Sequence, residues 1–203
     1  MTPAKKSRPR TKPPEERRDE LMNAALRLFL KQGIAATAIE QITSNADVAK
    51  GTFYLYFSSK DDVLAALRQR FAQNLLRSIK AAVDSLPQDD WKGKLSAWSR
   101  AGVDSYLDSM RLHDIIFSGP HRPPTRKGLV DNIIIDHLCD LLQAGVGARA
   151  WSVDDPRFTA VFLFSGLHGV VDEAHIAQKR IDRGRFARKL EQLSFRAVGL
   201  PSI

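Results

Sequence analysis

The sequence predicts an all-α protein, and three observations predict it. From Glu15 onward, apolar residues return every three or four positions. No segment alternates apolar and polar residues as a half-buried strand does. Helix-start signals stand before the periodic segments: Thr37 with Glu40 three positions on, Ser58-Ser59-Lys60-Asp61, and Asp155-Pro156.

The elements follow in order. Residues 1–14 hold Pro3, Pro9, Pro13 and Pro14 among basic residues, with no apolar period, and read as a disordered basic arm. Leu21, Met22, Ala25, Leu28 and Phe29 give a helix over 15–32, stopped by Gly33, with acids in its first turns where the helix dipole favours them. Thr37 as N-cap and Glu40 predict a short helix from Ala38 to about Asn45. A second short helix is expected over 50–57. The Ser58-Ser59 cap opens a long helix through Val63, Leu64, Leu67, Phe71, Leu75 and Ile79, ending near Leu86-Pro87. Further helices are expected over 89–109, 111–118, 126–145, 156–179 and 183–198, with a loop at His121-Arg122-Pro123-Pro124. The segment 126–145 is apolar over most of its circumference and is placed centrally. The domains expected are the arm (1–14), a helix-turn-helix domain (15–60) and a larger helical domain (61–203).

Composition narrows the function. The 203 residues carry a net charge of +8, and 43% are hydrophobic, enough to bury a core and too many for a disordered chain. The single cysteine, Cys139, excludes an intrachain disulfide and a four-cysteine zinc site and suits a reducing, cytoplasmic setting. No apolar run approaches the roughly 18 residues of a membrane span. The basic first residues have no apolar segment behind them, so no secretory signal is expected. No enzyme signature appears. Gly145-Val146-Gly147 follows a helix rather than a strand, and there is no serine elbow or neighbouring Cys–His pair. No cofactor is expected. The charge is uneven: residues 1–60 hold 11 Lys/Arg against 6 Asp/Glu, and residues 61–203 hold 20 against 17. A basic amino-terminal end suits a polyanion, either nucleic acid or an acidic membrane surface; a solubilising tail is the alternative.

The segment 37–57 decides between these. Two short helices joined by a tight turn, behind a supporting helix, form a helix-turn-helix, whose second helix enters the major groove. Phe53 and Phe57 lie four apart and face the local core with Val48. Lys50, Thr52, Tyr54 and Tyr56 then face outward as donors to phosphate oxygens, and Gly51 allows close backbone approach. Asp47 is expected to cap the second helix.

The run Ala24-Ala25-Leu26-Arg27-Leu28-Phe29, Gly33, Ala36-Thr37, Ile39, Ile42, Ala46-Asp47-Val48-Ala49 and above all Lys50-Gly51-Thr52-Phe53-Tyr54-x-Tyr56-Phe57-x-x-Lys60 closely resembles the DNA-binding domain of TetR-family transcriptional regulators. The resemblance covers residues 17–64 and is architectural beyond residue 82. It implies a ligand-responsive regulator: a homodimer that binds double-stranded operator DNA and, as a repressor, is released by a small-molecule effector. By position it implies that Thr37 and Lys60 hold phosphates, that Thr52, Tyr54 and Tyr56 contact backbone or base edges, and that Lys50 and Leu55 read bases, with Gly51 between them. Ala49 departs from the serine common in the family. Asn45-Ala46-Asp47 replaces the commoner Ala-Gly-Val-like start of the turn. Alternatives are a nonspecific nucleic-acid or membrane-surface binder, or an activator of the same fold.

The carboxy-terminal half says less. A pocket for a hydrophobic or aromatic effector follows from the resemblance, with Trp98, Tyr106, His113, Phe117, His137 and Phe164 as candidate lining. Phe162, Gly166, Gly169 and Val170 mark the penultimate helix as a candidate dimer interface, because mid-helix glycines each cost about 1 kcal/mol and suit close helix approach; core packing within one subunit is the alternative. His168, Asp172 and His175 fall on one helical face at a spacing able to hold a divalent ion; a polar stripe at the dimer rim is preferred, and no metal site is assigned. The cluster from Lys179 to Lys189 reads as solvated surface.

Overall fold

The computed structural model describes residues 13–117, 132–177 and 182–201. The arm expected over 1–14 lies outside them except for its last two residues. So do the loop at 121–124, the start of the helix expected from 126, and Lys179 and Arg180.

Among the described residues the fold is all-helical: α1 (Pro14–Gln32), α2 (Ile39–Asn45), α3 (Lys50–Tyr54), α4 (Lys60–Asp84), α5 (Trp91–Asp108), α6 (Met110–Phe117), α7 (Ile133–Gly147), α8 (Pro156–Ile176) and α9 (Arg183–Ala197). Internal contacts divide the chain into two units, Met1–Leu67 and Arg68–Ile203, and the division falls within α4.

In the first unit, α1 starts with Pro14 at its first position and Glu15 and Glu16 in its first turn. It stops at Gly33, whose φ of 82° only glycine adopts freely. Leu21, Met22, Ala25 and Phe29 point inward and pack with Ile42, Phe53, Val63 and Leu64 in a closed small core. The α2 cap differs from expectation. Its N-cap is Ala38, and the Ala38 N–H donates to Gln41 Oε1 at 2.9 Å, so Gln41 fills the place assigned to Glu40. Thr37 sits one residue too early to cap and donates its hydroxyl to the Gly33 carbonyl at 2.7 Å. The α4 start uses Ser59, whose Oγ accepts from the Asp62 N–H at 3.2 Å, while Asp62 accepts the Ser58 N–H at 2.9 Å.

In the second unit, α7 packs along α8, and α5 packs along α9. The caps of α5, α8 and α9 are Asp90, Asp155 and Asp182, each accepting a backbone N–H in the first turn. Asn132 caps α7, its Oδ1 accepting from Ile134 and Ile135. This fixes the start of α7 at Ile133. α7 buries Ile134, Ile135, Leu138, Cys139, Leu141 and Leu142, the central position its composition implies. Trp151 folds back on it, with Nε1 donating to the Leu142 carbonyl at 2.9 Å. A Cβ at Gly145 would lie 2.1 Å from that indole, so this close approach requires glycine. Arg100 pairs with Glu191 at 2.7 Å, and Ser99 meets Ser194 at 3.3 Å in the buried α5–α9 seam.

Candidate functional site

The turn between α2 and α3 is built by a Schellman motif. The Val48 N–H donates to the Thr43 carbonyl at 3.0 Å and the Asp47 N–H to the Ser44 carbonyl at 3.2 Å. Asp47 takes the left-handed position between them, φ 53°, which a short polar side chain tolerates better than a bulky one. It does not cap α3 as expected. The α3 N-cap is Ala49, with no side-chain hydrogen bond. Arg27 of α1 braces the end of α2 through two bonds to Asn45 Oδ1, at 2.7 and 3.2 Å.

α3 is shorter than the predicted 50–57. It is anchored by Phe53, which is fully buried, with Phe57 beneath it and the rings 5.8 Å apart. The Arg18 guanidinium lies 5.2 Å over the Phe57 ring. With its inner face occupied, the helix turns Lys50, Gly51 and Tyr54 to solvent and leaves Thr52 half-buried. Leu55 and Tyr56 follow the helix end, and Leu55 is 79% exposed, an unusual place for a leucine without an outside partner. A Cβ at Gly51 would meet nothing within 4 Å, so no internal contact requires glycine there.

Lys50 is paired in this structure. Its ammonium lies 2.5 Å from Glu40 Oε1, a bond that raises the lysine pKa and lowers that of the carboxylate. Both groups are exposed, so the pair is weak and can exchange with a stronger anion. Thr37 and Lys60 come together, but in a task different from the expected one. Lys60 Nζ donates to the carbonyls of Ile34 at 2.8 Å and Thr37 at 2.7 Å. The Thr37 side chain is 1% exposed. The two residues clasp the α1–α2 turn to the start of α4, and the Thr37 hydroxyl is turned inward rather than toward a phosphate.

A second polar cluster sits inside the other unit. Tyr106 of α5 is almost fully buried, and its hydroxyl donates to Asp172 Oδ1 of α8 at 2.8 Å. The same oxygen lies 3.0 Å from His168 Nε2 and 3.1 Å from His113 Nε2 of α6. Burial, and then the neighbouring His168, lower the His113 pKa to about 4, so this imidazole is neutral at neutral pH. Phe117 stacks on His113 at 4.8 Å, Phe71 meets both rings, and Phe164 lies 5.6 Å from His168. Four of the six expected pocket residues therefore meet: Tyr106, His113, Phe117 and Phe164. Trp98 and His137 make no ring contact or hydrogen bond with this cluster among the described residues. Trp98 Nε1 and His137 Nδ1 are buried without a hydrogen-bond partner there. His175 leaves the trio read from spacing and lies 3.0 Å from Asp114 instead.

The expected interface residues share one open face of α8. Phe162 is 63% exposed, Val170 is 42% exposed, and space is open around Gly166 and Gly169. Phe158, 70% exposed, extends the same stripe.

With this geometry established, residues 21–67 match the family of bacterial regulatory proteins of the tetR type, the span from α1 through α3 into α4. The helix-turn-helix domain of this chain is similar to that of the TetR family. Among relatives, the HTH-type transcriptional regulator HbdR of Aromatoleum sp. is 48% identical over 99 residues, 48% of this chain and 43% of HbdR. The HTH-type transcriptional activator FasR of Mycolicibacterium smegmatis is 32% identical over 102 residues, 50% of this chain and 43% of FasR. The chain thus matches less than half the length of these curated relatives. The crystal structure of RolR in complex with resorcinol superposes with a TM-score of 0.68 at 19% identity, covering 93% of this chain and 90% of that one. That likeness concerns the fold. No helix among the described residues is long and apolar enough to cross a membrane.

Proposed function

We propose that this chain is a ligand-responsive transcriptional regulator that binds operator DNA through α2 and α3, acting as a repressor released by a small effector. One observation carries the DNA reading. The five-residue α3 spends Phe53 on the core and leaves Lys50, Gly51, Tyr54 and Leu55 exposed, side by side. A lysine, a glycine with open space around it, a phenol and a leucine are what a groove-facing helix needs to hold phosphates and touch base edges. Without asparagine, glutamine or arginine on α3, bidentate base recognition is weak, and DNA shape shares the specificity.

The effector reading rests on Tyr106, His113, Phe117 and Phe164 being gathered in one unit, an aromatic setting with a few polar tips. RolR, of the same fold, is named with the aromatic resorcinol. The homodimer reading rests on the open apolar face of α8, whose Phe158, Phe162 and Val170 need covering. A twofold pair presents two reading helices to successive major grooves. α4 carries both Lys60 and Phe71, and it is the element through which an effector would shift the spacing of the two readers.

A footprint on DNA flanking the protein's own gene, made with excess random DNA present, tests this. A protected site that overlaps promoter elements supports repression. Protection upstream of them supports an activator, the role FasR is named for. Loss of all protection under random competitor supports nonspecific binding and refutes the reading.

A further inference from the structure

The Tyr106 cluster brings two histidines and a carboxylate together around one phenol oxygen. Five short contacts join it: Tyr106 Oη to Asp172 Oδ1 at 2.8 Å, to His168 Nε2 at 3.0 Å, to His113 Nε2 at 3.1 Å and to His113 Nδ1 at 3.2 Å, and His168 Nε2 to His113 Nε2 at 3.1 Å. The Tyr106 proton serves Asp172. The phenol oxygen, His113 Nε2 and His168 Nε2 then form a triangle with two imidazoles to supply protons. Two imidazoles from different helices and one carboxylate thus converge on a single buried point, with His113 8% exposed.

We propose that His113, His168 and Asp172 form a binding site for one divalent transition-metal ion of the zinc class. One nitrogen from each histidine and one carboxylate oxygen lie within 4.8 Å of one another. Tetrahedral zinc with bonds of about 2.0 Å spaces its ligands roughly 3.3 Å apart, close to the 3.1 Å between the two imidazole nitrogens. Two imidazoles and a carboxylate suit zinc, nickel, cobalt or iron(II) rather than magnesium or calcium. His168 and Asp172 lie at i and i+4 on α8, so one helix presents both ligands on one face, and α6 supplies the third. Tyr106 is a positioning residue: its hydroxyl bond to Asp172 orients the carboxylate. The proposal stands apart from the DNA reading, because metal binding is measured without DNA.

The untagged full chain, stripped with chelator and dialysed, is titrated calorimetrically with Zn²⁺ and spectroscopically with Co²⁺. The expected result is one ion per chain and visible Co²⁺ bands of a four- or five-coordinate site. His168→Ala and Asp172→Asn, both at half-exposed positions, abolish the bands while far-UV circular dichroism stays unchanged. Tyr106→Phe keeps the stoichiometry and weakens affinity about 10- to 100-fold. His175→Ala, outside the cluster, changes neither. Absence of binding by the wild-type chain overturns the site, as does binding that survives His168→Ala or disappears with His175→Ala.

Discussion

Replacing Gly51 by alanine adds one methyl group to the exposed side of α3, and the structure separates its two consequences. Inside the chain the methyl meets nothing within 4 Å, and the backbone at Gly51 is not in the left-handed region. Folding therefore loses no contact and gains helix propensity, up to about 1 kcal/mol in a helix interior and less at this second position. Toward DNA the same methyl occupies the space through which the backbone approaches. Losing one charge-assisted backbone bond to phosphate costs about 1.5–3 kcal/mol, roughly a ten- to hundredfold rise in Kd. Urea denaturation and fluorescence anisotropy on a footprinted site, at fixed salt, read the two effects separately. Stability is expected to hold or rise while DNA affinity falls. Unchanged affinity would show that Gly51 does not face DNA, and a drop in stability would show that the space around it is already filled.

Three other substitutions probe the remaining assignments. Lys60→Met removes two charged bonds to the Ile34 and Thr37 carbonyls and should destabilise the first unit by about 2 kcal/mol in denaturant titration; an unchanged midpoint would return Lys60 to a phosphate-binding role. Phe162→Glu places a charge on the open face of α8 and should halve the mass seen by light scattering, with little change in subunit helicity; an unchanged mass rejects this interface. His137 has its pKa lowered from 6.5, chiefly by burial and then by Lys80, so the unfolded chain binds more protons there. Its contribution is fully present above about pH 6.5 and is lost as pH falls below it, so His137→Leu should flatten the acid side of a melting-temperature profile. A slope identical to wild type contradicts that.

The helices were legible where local chemistry sets them. Asp155-Pro156 announces its helix because a cap involves only neighbours in sequence. Caps failed by one position where two candidates adjoin: Thr37 prefers the Gly33 carbonyl, and Gln41 outcompetes Glu40, leaving Glu40 to meet Lys50. The second use of Lys60 was invisible because its carbonyl partners lie 26 and 23 residues away. The polar cluster shows the same limit. Helical spacing finds His168 with Asp172 but equally suggests His175, and only tertiary packing brings in Tyr106 and His113 from other helices. The reading face of α3 was legible because two phenylalanines four apart fix which side is buried.

The central claim is that α2 and α3 read a defined DNA site. Selection of bound sequences from a random double-stranded pool by the full chain, at physiological salt, tests it most directly. The account predicts enrichment of an inverted repeat with half-sites about one helical turn, roughly 34 Å, apart. A pool that remains random after repeated rounds, while still binding the protein, would contradict it.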